Sequence, residues 1–78
     1  MDKRVTIYTT DTCHFCHMAK EYFRENGIKY VEKNVQRDKV AAKEMIEKSG
    51  GMAVPVININ GKIIVGFDKA RIEKALAT

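Results

Sequence analysis

The feature that most constrains this chain is its pair of cysteines, Cys13 and Cys16, the only two in 78 residues. A chain of this length allows a single domain, which we expect to span residues 1–78, and domains this small often depend on disulfides for stability. A Cys13–Cys16 bridge would close a loop of only about four residues, and stabilisation by a cross-link decreases as the loop shortens. A disulfide-stapled secreted scaffold is therefore excluded, and we expect the pair to serve chemistry.

Composition and the first residues argue against a membrane protein and an exported one. Hydrophobic residues make up 45% and charged residues 31% of the chain, which is ordinary for a globular domain. The longest apolar run is about six residues, far short of the roughly 20 that a membrane span needs. The start of the chain has charges but no apolar signal-peptide core. We expect a cytoplasmic protein without a membrane partner, where C-x-x-C serves redox catalysis or metal binding more often than structure.

The net charge of +4 comes from 14 Lys and Arg against 10 Asp and Glu. Basic residues are interleaved with acidic ones rather than gathered in an arm, as on a solvated surface. The sequence shows neither a basic stripe nor stacking aromatics on a strand, so we predict no nucleic-acid binding. The mild positive charge gives a slight preference for an acidic small molecule or an acidic protein partner.

Hydrophobic periodicity and turn residues divide the chain into seven elements in the order β-α-β-α-β-β-α. Strands are predicted over residues 3–9, 28–35, 55–59 and 62–67. The first helix should begin near Cys13, capped from within residues 9–12, and Asp38 and Asp68 should cap the other two. The residues expected to face the core are Phe15, Met18, Ala19, Tyr22 and Phe23 in the first helix, Ala42, Met45, Ile46 and Ser49 in the second, and Ile72, Ala75 and Leu76 in the third.

These connections predict an α/β fold with a mixed four-stranded sheet. A helix joins the first two strands, which should therefore be parallel by the right-handed crossover rule. Asn60 and Gly61 form a strong hairpin signal that should make the last two strands antiparallel. The three helices then cover the two faces of the sheet, and the strand ends near Thr9 and Pro55 meet at one edge. We expect the functional site at that edge, beside the start of the first helix.

The dithiol motif, residues 13–17, lies at the junction of the first strand and the first helix. Unpaired N–H groups at a helix N-terminus favour the thiolate form of a cysteine placed there. Cys13 precedes the helix body and should be exposed, whereas Cys16 lies one turn further in. This assigns Cys13 as the attacking nucleophile and Cys16 as the resolving thiol. His14 is a candidate for tuning the thiolate, with a plain solvent-facing position as the alternative reading.

The motif has three other interpretations. Cys-x-x-Cys-His is also the attachment signature of c-type haem, but that attachment requires export, for which the sequence shows no signal. A zinc site needs four ligands around the metal, and consecutive residues on one helical turn cannot surround it, so we predict no metal site. Inert packing cysteines have no reason to sit at a polar helix start.

Pro55 is the only proline in the chain and begins the third predicted strand. A proline at a strand start tolerates its missing N–H donor. The functional alternative is a cis Val54–Pro55 bond. Such a bond would turn the Val54 backbone towards the thiols, where an extended substrate could pair with it.

The whole chain resembles the small dithiol glutaredoxins of the thioredoxin fold. The matching stretches are residues 5–9, 13–20, 44–50, 54–55 and 66–68. The resemblance implies a cis Pro55, thiol–disulfide exchange as the reaction, no bound cofactor, and glutathione as co-substrate. It also implies a monomer that acts on disulfide-containing proteins.

The resemblance further implies a glutathione site. Phe15 stands where many glutaredoxins have a Tyr beside the bound tripeptide, and the Val54 backbone, next to Pro55, would pair with the cysteinyl unit. Asp68, with the first N–H groups of the last helix, would receive the γ-glutamyl end. Gly66 and Phe67 immediately precede Asp68 in the same matching stretch.

Several positions depart from the glutaredoxin pattern. His14 stands where glutaredoxins usually have a Pro, and Thr10 stands where many have a Lys. In the run that is commonly Gly-Gly-x-Asp-Asp, Val65 replaces a glycine and Lys69 replaces a carboxylate. The segment 66–72 resembles that of glutaredoxin-like redoxins that thioredoxin reductase reduces and that serve ribonucleotide reductase. The reductant therefore stays open between glutathione and thioredoxin reductase. A zinc or iron–sulfur binding module is the alternative of a different class.

Overall fold

The computed structural model describes residues 4–77. Its elements follow the predicted order: β1 (Val5–Thr9), α1 (His14–Glu25), β2 (Val31–Asn34), α2 (Lys39–Ser49), β3 (Val56–Ile59), β4 (Lys62–Val65) and α3 (Lys69–Leu76). The strands are shorter than predicted, most clearly β2, because residues 28–30 lead into the sheet without joining its ladder. Lys3, the first residue of the predicted first strand, lies outside the described residues.

The four strands form one mixed sheet in the order β2-β1-β3-β4. β1 runs parallel to β2, and both β1 and β4 run antiparallel to β3, as the connections predict. Asn60 and Gly61 both adopt positive φ, 52° and 93°, which is the conformation that a two-residue hairpin turn requires. The chain thus has the α/β thioredoxin fold expected from its sequence, with the β1 and β3 strands at the centre.

The face of the sheet that carries α1 and α3 holds the larger hydrophobic core. Nine buried residues from five elements form one cluster there: Val5, Ile7, Ala19, Phe23, Ile57, Ile59, Ile64, Ile72 and Ala75. They occupy every second position of the strands, as the pleat of a β-strand dictates. Phe23 at its centre is fully buried. This core fixes α1, and with it the dithiol motif, against the sheet.

The opposite face carries α2 alone and holds a smaller core of Tyr8, Met45 and Val56. The Tyr8 hydroxyl donates a hydrogen bond to Glu44 Oε1 at 2.5 Å, and Lys33 Nζ reaches the same oxygen at 2.8 Å. Burial and the neighbouring Glu44 carboxylate raise the pKa of Tyr8 above its ordinary value. A polar network therefore shares this face with the apolar residues.

Parts of the predicted core stripes are wrong. Phe15 and Met18, at 57% and 36% exposed, lie outside the packed face of α1, and Cys16 is buried in their place. In α2, Met45 is buried as predicted, but Ile46 is exposed and Ala41, which was not predicted, is buried. Both errors arise because each helix covers the sheet with a narrow band, and periodicity alone does not fix where that band begins. Among residues 4–77, no helix has the length and apolar character to cross a membrane.

Candidate active site

Three chain segments meet at one edge of the sheet. The register of β1 on β3 pairs Tyr8 with Val56, so the end of β1 lies beside the residue that follows Pro55. The Val54–Pro55 peptide bond is cis, as the resemblance implied. The Gly66 N–H donates to the Pro55 carbonyl oxygen at 2.7 Å, which ties the end of β4 to the same edge. The end of β1, which leads into the dithiol loop, therefore lies at the same edge of the sheet as Pro55 and Gly66.

Cys13 caps α1 itself, which corrects the prediction of a cap within residues 9–12. Its Sγ accepts a hydrogen bond from the Cys16 N–H at 3.1 Å, the position that a Ser or Asp oxygen usually takes at a helix start. The side chains of Cys13 and Cys16 are joined as a disulfide with their Cα atoms 5.2 Å apart. The same backbone N–H is thus aimed at the sulfur that would carry negative charge after reduction.

The two sulfur-bearing residues differ in access. Cys16 is 1% exposed, whereas Cys13 is partly exposed at the start of the helix. A large disulfide substrate can reach only the sulfur that faces solvent, and a buried thiol can attack only within the protein. This difference is the geometry that an attacking and a resolving thiol require.

The loop before Cys13 is anchored to the turn after β2. The Asp11 carboxylate accepts hydrogen bonds from Asn34 Nδ2 at 2.8 Å and Arg37 Nε at 3.1 Å, and the Asp11 N–H donates to Gln36 Oε1 at 3.1 Å. The Asn34 and Arg37 hydrogen bonds hold the pKa of Asp11 below its usual value. These contacts fix the chain three residues before the α1 helix, where the direction of the Cys13 side chain is set.

A second network joins the end of β1 to α1. Thr9 is fully buried, and its Oγ1 donates to Glu32 Oε2 at 2.7 Å, while Lys20 Nζ reaches the same oxygen at 2.9 Å. The Lys20 hydrogen bond, followed by that from Thr9, lowers the pKa of Glu32. The network locks the first two turns of α1 against the two strands that lie beneath it.

The two histidines of the motif lie on the surface. The His14 ring meets the Phe15 ring edge-on at 5.7 Å between centroids, and the hydrogen bond that reaches Cys13 Sγ comes from Cys16 rather than from His14. His17 Nε2 lies 3.2 Å from Glu21 Oε1 on the outer side of α1. A role for His14 in tuning the thiolate stays a prediction.

The residues predicted to bind substrate come from separate segments of the chain. Val54 is half-buried beside Pro55, and Phe15 stands out from α1. Asp68 caps α3, with Oδ1 accepting from the Arg71 N–H at 3.2 Å. Their contact with a substrate is untested and stays a prediction.

The residues that follow Gly66 form a small aromatic cluster. Phe67 packs edge-on against Tyr22 at 6.0 Å. Lys69 Nζ lies over the rings of Tyr22 and Phe67 at 5.8 and 6.0 Å, so the cation that replaces the usual carboxylate folds back onto the protein. In the part of the chain that the structure describes, no three His, Cys, Asp or Glu side chains are grouped to hold a metal ion.

The glutaredoxin family model matches residues 5–64, more than half of the chain and including the dithiol and Pro55. The chain belongs to the glutaredoxin family. The family consists of oxidoreductases, and the Cys13–Cys16 pair of this glutaredoxin supplies the redox-active thiols.

Relatives of this glutaredoxin cover nearly all of it. An uncharacterized glutaredoxin-like 8.6 kDa protein in the rubredoxin operon of Clostridium pasteurianum is 46% identical over 72 residues, covering 92% of this chain and 96% of its own. Escherichia coli glutaredoxin 3 is 38% identical over 64 residues, covering 82% and 77%.

Solved structures agree with the fold. Glutaredoxin from Archaeoglobus fulgidus superposes with a TM-score of 0.86 at 19% identity, covering 95% of this chain and 86% of that one. The glutaredoxin-like NrdH-redoxin of Escherichia coli gives a TM-score of 0.80 at 30% identity, covering 91% and 92%.

Sequence reasoning missed the two anchoring networks around Asp11 and Glu32. Their partners are separated by more than ten positions along the chain, so no local spacing reveals them. The polar residues of the 9–12 loop were interpreted as cap candidates, which Asp11 is not. The one available signal was that a carboxylate two residues before a thiolate would be unfavourable without a nearby cation, and Arg37 is that cation.

Proposed function

We propose that this glutaredoxin reduces protein disulfides or glutathione mixed disulfides, with Cys13 as nucleophile and Cys16 as resolving thiol. The observation that carries the proposal is the asymmetry of the pair. Cys13 is accessible at the first turn of α1 and its sulfur accepts the Cys16 N–H, while Cys16 is buried. An N–H and a helix N-terminus directed at one sulfur lower the cost of its thiolate form.

The exchange proceeds in two displacements. The Cys13 thiolate attacks one sulfur of a substrate disulfide, so a mixed disulfide forms and the other substrate sulfur leaves as a thiolate that takes up a proton. The Cys16 thiolate then attacks Cys13 Sγ, which forms the Cys13–Cys16 disulfide and releases the second substrate thiol. Two electrons have passed to the substrate, and a reductant must return them to the protein.

Glutathione is the reductant that we propose first. The Val54 backbone beside the cis bond is available for pairing with an extended peptide, and Asp68 with the N-terminus of α3 offers both charges that a γ-glutamyl group needs. Phe15 is exposed beside the dithiol, and Gly66 and Phe67 line the same edge. In this proposal the protein holds no resident cofactor, and glutathione is a co-substrate.

Reduction by thioredoxin reductase is the second candidate. Asp68 Oδ2 is paired with Arg71 Nε at 3.6 Å, so a cation already lies where the ammonium group of glutathione would bind. The 30% identity to NrdH-redoxin, a glutaredoxin-like protein with a thioredoxin-like activity profile, supports the same reading. On this route ribonucleotide reductase is a candidate electron acceptor.

The remaining expectations complete the proposal. The protein would work as a monomer in the reducing cytoplasm, without a nucleic-acid or membrane partner. A reducing compartment suits the activity because the Cys13–Cys16 disulfide must be returned to its dithiol form after each cycle.

The test supplies two reducing systems to the oxidised protein. One reaction contains NADPH, glutathione and glutathione reductase, and the other contains NADPH and thioredoxin reductase. Rapid NADPH consumption in the first supports the glutathione route, and in the second the redoxin route. If neither system reduces the Cys13–Cys16 disulfide while dithiothreitol does, both routes are wrong. Stoichiometric metal or absorbance near 400 nm in the purified protein would favour the metal-binding alternative instead.

A further inference from the structure

The sheet face that carries α2 is only partly covered. Beside α2 lie two open clefts of about 420 and 440 Å³ that share Arg4 and Thr6, so they form one continuous surface. We call this surface the basic face and define it by Arg4, Thr6, Lys29, Val31, Lys48 and Asn58. None of the dithiol, Pro55 or Gly66 lines it.

The strand register explains why these side chains share a face. Thr6 pairs with Val31 on β2 and with Asn58 on β3, and paired residues of neighbouring strands point to the same side of a sheet. Arg4 and Lys29 lie just before β1 and β2, and they line the same cleft as Thr6 and Val31. Lys48 approaches from α2, one helical turn after Glu44.

The basic face has excess positive charge. Within residues 4–77, Arg4, Lys29 and Lys48 form no ion pair with a carboxylate. Glu44, the one carboxylate among the described lining residues, is already engaged by Lys33 and by the Tyr8 hydroxyl. Among residues 4–77, these three cations are not ion-paired with a carboxylate, so they can attract an anionic ligand.

We propose that the basic face binds an acidic, extended segment of a partner protein, at a site separate from the dithiol. Arg4 presents a planar guanidinium that matches a carboxylate, and Thr6 and Asn58 add neutral hydrogen-bonding groups between the cations. Val31 is 59% exposed in the same surface, which suits an apolar residue among acidic ones. The width from β2 to β3 is roughly 10 Å, about three residues of extended chain.

A nucleic acid fits this surface less well. Single strands bind by stacking their bases on aromatic rings within a basic groove. Each cleft has one tyrosine in its lining, but Tyr8 is buried with its hydroxyl bonded to Glu44, and the Tyr30 ring packs against Phe23 at 5.5 Å between centroids. The described part of the basic face therefore offers cations without a stacking platform.

Binding is tested with a fluorescein-labelled peptide of twelve residues that mixes Glu, Asp and Val, by fluorescence anisotropy at low salt. The triple variant Arg4→Gln, Lys29→Gln, Lys48→Gln should bind it at least about tenfold more weakly, since each lost charge pair contributes a few-fold. The matched control Lys39→Gln, Lys43→Gln, Lys74→Gln removes the same net charge from elsewhere and should weaken binding less than about threefold. Equal weakening in both variants would mean non-specific attraction and overturn the proposal.

Two further measurements locate and classify the ligand. In NMR spectra of the isotope-labelled protein, the amide chemical shifts of Thr6, Val31 and Asn58 should change when the peptide is added. Changes centred on Cys13 or Gly66 would contradict the proposal. A twelve-nucleotide single strand that binds the basic face more tightly than the peptide would replace it with a nucleic-acid site. Reduction of a small mixed disulfide should be equal in the triple variant and the wild type, which keeps this test independent of the proposed redox function.

Discussion

The two faces of the sheet differ in how completely helices cover them. The face with α1 and α3 buries nine apolar residues in one cluster, whereas the face with α2 buries three and adds a hydrogen-bonded network of Tyr8, Lys33 and Glu44. Two helices cover a four-stranded sheet, and one helix does not. The well-covered face therefore carries the stability and anchors the dithiol, while the half-covered face keeps polar and charged side chains in contact with water.

The largest expected effect is the loss of activity when the cysteines at the start of α1 are replaced. Cys13→Ser should abolish all disulfide reduction, because no other described thiol is accessible to a substrate. Cys16→Ser should keep the reduction of glutathione mixed disulfides and lose that of protein disulfides. The assay is NADPH consumption in the coupled system, with Lys43→Gln on the outer side of α2 as a control that leaves the rate unchanged. The reverse pattern in the two cysteine variants would exchange their roles.

The next effect concerns stability on the well-covered face. Phe23→Ala removes a fully buried ring from the centre of the nine-residue cluster and should lower the free energy of unfolding by about 3–5 kcal/mol. Urea denaturation followed by circular dichroism measures it. Phe15→Ala on the same helix, where the ring is exposed, should cost less than about 0.5 kcal/mol. Similar losses for the two variants would contradict the assigned core.

Met45→Ala tests whether the smaller core on the α2 face contributes less to the free energy of unfolding. Met45 is fully buried, but among the described residues its cluster has only two other buried members, Tyr8 and Val56. We expect a loss of roughly 2–3 kcal/mol, at the lower end of the range for such truncations. A loss in urea denaturation larger than that of Phe23→Ala would reverse the ranking of the two faces.

The smallest effect is the pH dependence of the α2-face network. Hydrogen bonds from Lys33 and then Tyr8 hold the pKa of Glu44 below its ordinary value of 4.5. A carboxyl whose folded pKa is depressed contributes stability that is present above the unfolded value and is lost as pH falls through the folded one. The wild type should therefore lose stability below about pH 4.5 more steeply than Glu44→Gln, by on the order of 1 kcal/mol or less. Parallel unfolding curves from pH 6 to pH 3 would show that the network does not contribute.

Local sequence signals were sufficient for the elements and for the chemistry of the dithiol. Turn residues such as Asn60 and Gly61, caps such as Asp38, and a C-x-x-C pair at a strand-to-helix junction each act within a few residues, and all appear where they were predicted. The helix stripes failed at Phe15 and Ile46, because exposure depends on which neighbours cover a helix rather than on its own period.

What the sequence determined by itself is the order of the seven elements, the glutaredoxin resemblance and the identity of the redox pair, since each follows from residue types and local spacings without knowledge of which residues meet in space. The tertiary structure decided which side chains share a face and which charges are neutralised. It paired Asp11 with Arg37 and Glu44 with Lys33, and it left Arg4, Lys29 and Lys48 together without a described carboxylate partner. Strand pairing brings distant residues within a few ångströms, and charges interact through that distance rather than through their separation along the chain.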